Sequence, residues 1–240
     1  MSKDNKDETS QPIRFPEKVI SENIQIVKNK ADPQCMDYSK FVIVEGSEHY
    51  SLMPYASKQV YDLLCTHVGG INSVIDATAH IGVDTVNFIT RFGASVIALE
   101  NDRETYECLV ENINTFSGDN TFGPNYAVYC NCIEFLKGFK QPTDIVYFDP
   151  PWGGPSYWKE RNLMLFITHG EDKIPIYNVV NSVLSEGFTQ TVVVKVPKNF
   201  DYKTFKGEII GSCKSCSVFK PRRKHQRKAY ISYYLIICKI

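Results

Sequence analysis

The stretch Asp149-Pro-Pro-Trp-Gly-Gly-Pro155, followed by Ser156 and Tyr157, concentrates more chemistry than any other part of the chain. Two consecutive prolines stop a preceding strand and fix the backbone beyond it. The Asp149 side chain and the Pro150 carbonyl then become rigid acceptors for the N–H groups of an exocyclic amine on a base. Accepting those hydrogens aims the nitrogen lone pair at an electrophilic carbon, and alkylation of an amine depends on that positioning. Trp152 offers a flat face for stacking a purine, and a cationic purine would gain about 1–2 kcal/mol of cation–π attraction. Gly153 and Gly154 remove side chains that would crowd the base. A turn around a core tryptophan would use the same residue types, but it would not need all seven in succession.

A second group suits a nucleoside cofactor. Asp76 ends an apolar run, and Asp76-Ala-Thr-Ala-His-Ile-Gly-Val-Asp-Thr85 leads through small residues into a helical pattern. Such a strand–loop–helix join brings backbone N–H groups against a nucleotide or carboxylate. Of the glycines that a pyrophosphate loop would carry, only Gly82 is present. The next apolar run ends in Glu100, 24 residues beyond Asp76. A carboxylate at that offset can accept hydrogen bonds from both ribose hydroxyls of an adenosine. An N-terminal helix charge is the plainer use of Glu100, and Asp102 and Glu104 would serve it equally. An acid without phosphate-binding glycines favours a nucleoside cofactor lacking a pyrophosphate, and S-adenosylmethionine fits.

The elements that must position these residues alternate in type. Residues 54–68, 83–92, 102–116 and 174–184 read as helices, with Val60, Leu64 and Val68 on one stripe of the first. Residues 73–78, 95–100, 126–132, 144–149 and 191–196 read as strands, and two further β segments lie near 216–219 and 229–239. Strands separated by helices imply right-handed crossovers and a mostly parallel sheet. The last two segments suggest an antiparallel hairpin at one end. The expectation is a doubly wound α/β domain of seven strands, helices on both faces, with ligands at the carboxyl ends of the strands.

Residues 149–157 resemble the signature of the trimethylguanosine synthase family, Ser/Asp-Pro-Pro-Trp-Gly-Gly-Pro followed closely by Tyr. His49-Tyr-Ser-Leu-Met-Pro54 resembles that family's Trp-Phe-Ser-Val-Thr-Pro, and Val196-Pro-Lys-Asn199 resembles its Leu-Pro-Arg-Asn. The likeness covers roughly residues 45–238. It implies a Rossmann-like class I methyltransferase that uses S-adenosylmethionine on the exocyclic amine (N2) of the 7-methylguanosine cap of RNA. By that resemblance Asp76, Thr78, Gly82, Thr85 and Glu100 line the cofactor pocket, and Cys132 takes the place of an Asp near the adenine amine. Asp149 and Pro150 hold the target amine, and Trp152 stacks on the methylated guanine. Ser51, Lys198 and Asn199 meet the substrate's base or phosphates. The family's Gly-x-Gly-Gly is His80-Ile-Gly-Val83 here.

The whole chain has 240 residues, 43% hydrophobic and 22% charged, which excludes a disordered chain, a collagen and a coiled coil. Residues 41–240 are expected to form the domain, and residues 1–40 a mobile tail or a short docking helix. Its zero net charge conceals a division. Residues 35–189 hold nine basic and nineteen acidic side chains, and residues 190–240 hold twelve and two. A cationic segment on an acidic body suits a polyanionic ligand, here capped RNA, and Lys220-Pro-Arg-Arg-Lys-His-Gln-Arg-Lys228 is its densest part. Solvated surface, or a nuclear-localisation patch, is the alternative use. Eight cysteines contain one CxxC, Cys213-Lys-Ser-Cys216, with no second pair to complete a zinc site, so reduced thiols and no metal are expected. His67 in a helix and His169 in a loop carry little weight. No run reaches the roughly 18 apolar residues of a membrane span, and the N-terminus lacks a signal-peptide core. A monomeric protein of the nucleus or cytoplasm, not secreted, is expected. Three rivals remain: an exocyclic adenine-amine methyltransferase of DNA or RNA, a catalytically degenerate RNA-binding homologue, and a small-molecule methyltransferase.

Overall fold

The computed structural model describes residues 24–27, 40–45, 54–116, 123–220 and 233–240. Among these residues, ten strands and six α-helices follow in the order β1 (Ile24–Val27), α1 (Pro54–His67), β2 (Ser73–Asp76), α2 (Val83–Asn87), β3 (Ser95–Glu100), α3 (Arg103–Phe116), β4 (Asn125–Tyr129), α4 (Cys132–Gly138), β5 (Ile145–Phe148), β6 (Phe166–His169), β7 (Asp172–Pro175), α5 (Ile176–Glu186), β8 (Thr191–Pro197), α6 (Tyr202–Ile209), β9 (Ser215–Phe219) and β10 (Tyr233–Lys239). A π-helical turn, Phe88–Phe92, extends α2.

Eight strands form one sheet in the order β1-β4-β3-β2-β5-β8-β10-β9. The five from β4 to β8 are parallel, with β1 antiparallel at one edge and β10 and β9 antiparallel to each other at the far end. Strand order reverses between β2 and β5, because the chain first builds outward through β3 and β4 and then returns. Loops leaving β2 and β5 there diverge to opposite faces and open the crevice where α/β sheets bind ligands.

Val/Ile-rich runs suit a sheet covered on both sides. Along β5 the side chains alternate between two cores, with Val146 and Phe148 in one and Ile145 and Tyr147 in the other. The first core adds Phe135 of α4, Val180 of α5 and Phe205 of α6, and the second adds Leu64 of α1 and Leu109 of α3. The sandwich follows from this alternation.

The structure departs from the sequence expectation in four places. The sheet has eight strands, because Ile24–Val27, within the segment expected to be a tail or helix, pairs with β4 from Ile24 opposite Val128 to Val27 opposite Asn125. Apart from Lys40, the rest of the expected tail lies outside the described residues. Residues 130–132 do not continue β4; Asn131 caps α4 by accepting from the Ile133 amide at 3.0 Å. His169 is not in a loop but ends β6, in a hairpin with β7. α6 follows Asp201, whose side chain accepts from the Thr204 amide. Among the described residues, no helix is long and apolar enough to cross a membrane.

Candidate active site

The loops at the reversal point are tied together by hydrogen bonds between β2 and β5. The Ala77 amide donates to the Tyr147 carbonyl at 2.9 Å, and the Asp149 amide donates to Thr78 Oγ1 at 2.7 Å. Thr78 therefore anchors the first residue of Asp-Pro-Pro. The Asp149 carboxylate is held from the other side by Lys195 of β8, whose Nζ donates to Oδ2 at 2.6 Å. The same ammonium donates to Asp84 Oδ2 at 3.0 Å, and the Tyr147 hydroxyl donates to that oxygen at 2.9 Å. Lys195 is 2% exposed. Burial alone would lower its pKa, but Asp149 and Asp84 override that and raise it, so the lysine stays charged. Burial raises the pKa of Asp149, Lys195 pulls it back, and the charge of Asp84 adds to the rise.

Asp76 is also buried. Its Oδ2 accepts a 2.6 Å hydrogen bond from Thr85, itself fully buried. Burial pushes its pKa up to about 7 despite Thr85, with Asp84 and Asp149 contributing. Asp84 and Asp149 thus share one ammonium, and Asp76 lies near enough to feel both of their charges. Among the described residues, Asp76 Oδ1, Asp84 Oδ1 and Trp152 Nε1 are buried without a hydrogen-bond partner. Orphaned buried polar atoms are rare and mark a missing partner. Two acceptor oxygens in an electronegative pocket fit a ligand that is cationic and rich in N–H groups, as S-adenosylmethionine is.

Glu100, at the end of β3, accepts from three backbone amides, His80 at 2.9 Å through Oε2 and Asn101 and Asp102 at 2.8 Å each through Oε1. Burial raises its pKa, and those three bonds oppose the rise. The carboxylate clamps the β2 loop against the β3 loop. Within that loop His80 has φ 51° and Gly82 φ 89°. A Cβ on Gly82 would lie 2.6 Å from Leu109 Cδ1, so both conformation and space demand glycine there. Cys132 is buried in the first turn of α4, and burial, with the charge of Glu100, pushes its thiol up to about 12. It is a neutral thiol where the family resemblance implies a carboxylate.

On the substrate side, Trp152 is half-buried and packs against both cores, with Tyr157 edge-on at 5.2 Å and 71°. Gly153 and Gly154 have φ of 94° and 82°, and a Cβ on either would meet nothing within 4 Å. Asn199 donates through Nδ2 to the carbonyls of Tyr157 (2.8 Å) and Glu160 (2.9 Å). Its amide donors brace the loop that presents Trp152. Lys198 is exposed beside it, and Trp158 is 66% exposed under the Lys159 ammonium at 5.4 Å. Ser51, His49 and residues 221–228 lie outside the described residues. Lys220 sits over the Tyr234 ring at 5.3 Å.

The structure therefore brings Asp76, Thr78, Thr85 and Asp149 together directly and ties Glu100 to the same loop through the His80 amide. Sequence reasoning missed Lys195, Asp84, Tyr147 and Asn131. A signal for Lys195 existed: one cation inside Val-Val-Val-Lys-Val, where a lysine is almost never buried without a partner.

The model of the RNA cap guanine-N2 methyltransferase family matches residues 71–236. A curated relative, the uncharacterized protein L320 of Acanthamoeba polyphaga mimivirus, is 31% identical over 133 residues. That match takes in 55% of this chain and 48% of the relative, so the chain spans about half the length of the relative. Among solved structures, the METTL16 methyltransferase domain superposes with a TM-score of 0.55 at 12% identity, covering 79% of this chain and 70% of that one. A human methyltransferase 10 domain containing protein gives 0.52 at 10% identity, covering 79% and 86%. At such identities the likeness is one of fold, the class I Rossmann-like methyltransferase fold.

Proposed function

Because the chain belongs to the RNA cap guanine-N2 methyltransferase family, we propose that it methylates the exocyclic N2 of the 7-methylguanosine cap of RNA. Membership places it in the broader class of S-adenosylmethionine-dependent RNA methyltransferases; the cap and the N2 position are the finer reading. The observation that carries it is the Asp149-Pro150-Trp152 loop at the reversal point, with one Asp149 oxygen fixed by Lys195 and its amide fixed by Thr78.

When bound, S-adenosylmethionine supplies an electrophilic methyl on a sulfonium. Asp76, Thr78, Gly82, Thr85, Glu100 and Cys132 would form its pocket, and the unpartnered oxygen of Asp76 suits its cationic groups. Asp149 Oδ1 and the Pro150 carbonyl would accept the amine's N–H groups and orient its lone pair. Asp149, its pKa raised by burial, would accept the proton that the amine sheds as the new N–C bond forms. Trp152 would stack on the cationic guanine. Lys198, Ser51 and the basic segment 220–228 would meet the base and phosphates, while Asn199 braces the loop. With this reading go a nuclear or cytoplasmic location, where capped RNA is found, and a monomeric protein, both as part of the proposal.

The test incubates the protein with labelled S-adenosylmethionine and dinucleotide caps, with and without the guanine 7-methyl group, beside an adenine-rich RNA. Mass spectrometry should find the methyl on N2 of the 7-methylated cap. A methyl on adenine, or none on any RNA, would overturn this reading.

A further inference from the structure

We infer that Lys195 is a positioning residue for methyl transfer: it fixes the Asp149 carboxylate, through Oδ2, in the ionised form that receives the target amine on Oδ1. The inference rests on Asp149 as the amine's acceptor, as proposed above.

The geometry is specific. Lys195 reaches Asp149 Oδ2 at 2.6 Å from the centre of a strand whose seven residues are all buried. Lys195 engages Oδ2 and Thr78 holds the Asp149 amide, so Oδ1 is the oxygen left for substrate. The lysine is itself aligned by Asp84 at 3.0 Å, with the Tyr233 ring of β10 5.7 Å from its ammonium. Asp84 is aligned in turn by the Tyr147 hydroxyl.

A protonated Asp149 would present a hydroxyl donor or a neutral carbonyl to an N–H group, and the lone pair would lose its orientation. The groups facing Asp149 decide its state. Asp84 on α2 repels its charge, Asp76 at the end of β2 and Asp149 repel each other, and Tyr147 on β5 offers its proton to Asp84 rather than to Asp149. The Trp152 indole N–H lies close enough to favour the charged form but makes no hydrogen bond of ordinary geometry. Lys195 is the one cation bonded to it among the described residues. A buried ion pair is a poor source of stability, since an apolar replacement often serves as well or better. The cluster's chemistry accounts for the lysine where packing alone does not.

The test compares Lys195→Met, Lys195→Gln and Lys195→Arg with the parent protein, reading kcat against pH and the Asp149 carboxyl by 13C NMR titration. Loss of an adjacent cation should raise the Asp149 pKa by about 1–3 units. The acid limb of kcat should move up with it in both neutral variants, so that a large loss at pH 6 shrinks at pH 9 while KM for the cap changes little. Lys195→Arg should restore the limb. Should Lys195→Met fail to fold, Lys195→Gln keeps a donor of similar length and reads the same limb. Equal losses at every pH, with an unmoved Asp149 titration, would leave Lys195 a structural ion pair and overturn the inference. The NMR titration needs no substrate, so it separates this failure from a failure of the cap reading: a parent protein inactive on all amines with a shifted Asp149 in Lys195→Gln would refute only the latter.

Discussion

Replacing Asp76 by asparagine should stabilise the cofactor-free protein at pH 8 while weakening its hold on S-adenosylmethionine. Asp76 is 1% exposed, Oδ2 accepts from Thr85, and Oδ1 has no partner among the described residues. Burial raises its pKa from an ordinary 3.8 to about 7. Between those values the native state binds a proton that the unfolded chain has released, so stability falls as pH rises across the window. Above about 7 the deficit is complete. At about 1.4 kcal/mol per pKa unit the rise corresponds to about 4 kcal/mol, which is a ceiling, since the amide brings donors that need partners of their own. The cost of one unsatisfied buried acceptor, about 1–3 kcal/mol, is the better expectation for the gain. The amide oxygen still accepts from Thr85. Urea denaturation at pH 8 should show the variant more stable, and most of the difference should vanish at pH 5, where native Asp76 is protonated. Calorimetry at pH 8 should show weaker S-adenosylmethionine binding, because cationic groups lose a carboxylate. A variant less stable at both pH values, or a gain undiminished at pH 5, would refute the reasoning.

Trp152→Ala should lose about 1–3 kcal/mol of base affinity, and more for the 7-methylated cap than for the unmethylated one, since the charged ring alone loses cation–π attraction. Equal losses on both caps in a fluorescence titration would make Trp152 a structural residue or a reader of another base, with Trp152→Phe expected between. Gly82→Ala should destabilise by about 1–3 kcal/mol, because the new methyl meets Leu109 at 2.6 Å in a backbone with φ 89°. A urea curve superposed on that of the parent would show that the loop relaxes freely. The Cys216 thiol is lowered to about 7 by its hydrogen bond with Cys238, whose sulfur lies 3.8 Å away. Iodoacetamide labelling of Cys216, mapped by mass spectrometry, should therefore rise through pH 7; an onset only above about 8.5 would mark an ordinary thiol.

How far the sequence could be read depended on how much of each element's stability is local. β3 and β8 were legible because long apolar runs buried on both faces have no other stable home, and their observed bounds lie within a residue of the expected ones. The Asp-Pro-Pro-Trp loop was legible because proline and glycine restrict the backbone wherever they stand. The short elements were not. α4 has seven residues and α6 eight, too few to be helical without the core that Phe135 and Phe205 enter. Their caps, Asn131 and Asp201, were in plain view but had no long pattern to mark as a start. β1 gains its strand character from the free edge of β4, about a hundred residues away in sequence.

The same distinction explains what was missed in the site. Asp149 could be singled out because its neighbours in sequence declare a function, whereas Lys195 and Asp84 declare themselves only to each other, 111 residues apart. A lone lysine in a valine run has two readings, an edge strand with one solvated face or a buried cation with a partner. Choosing between them requires knowing that β8 lies between β5 and β10 rather than at the margin. Once that order is known, burial forces the lysine to find carboxylates, and those within reach are at the carboxyl end of β5 and on α2. The topology that placed the reversal point beside β5 thus also dictates which aspartate the buried ammonium holds, so the motif's loop is anchored by a strand that carries none of the motif.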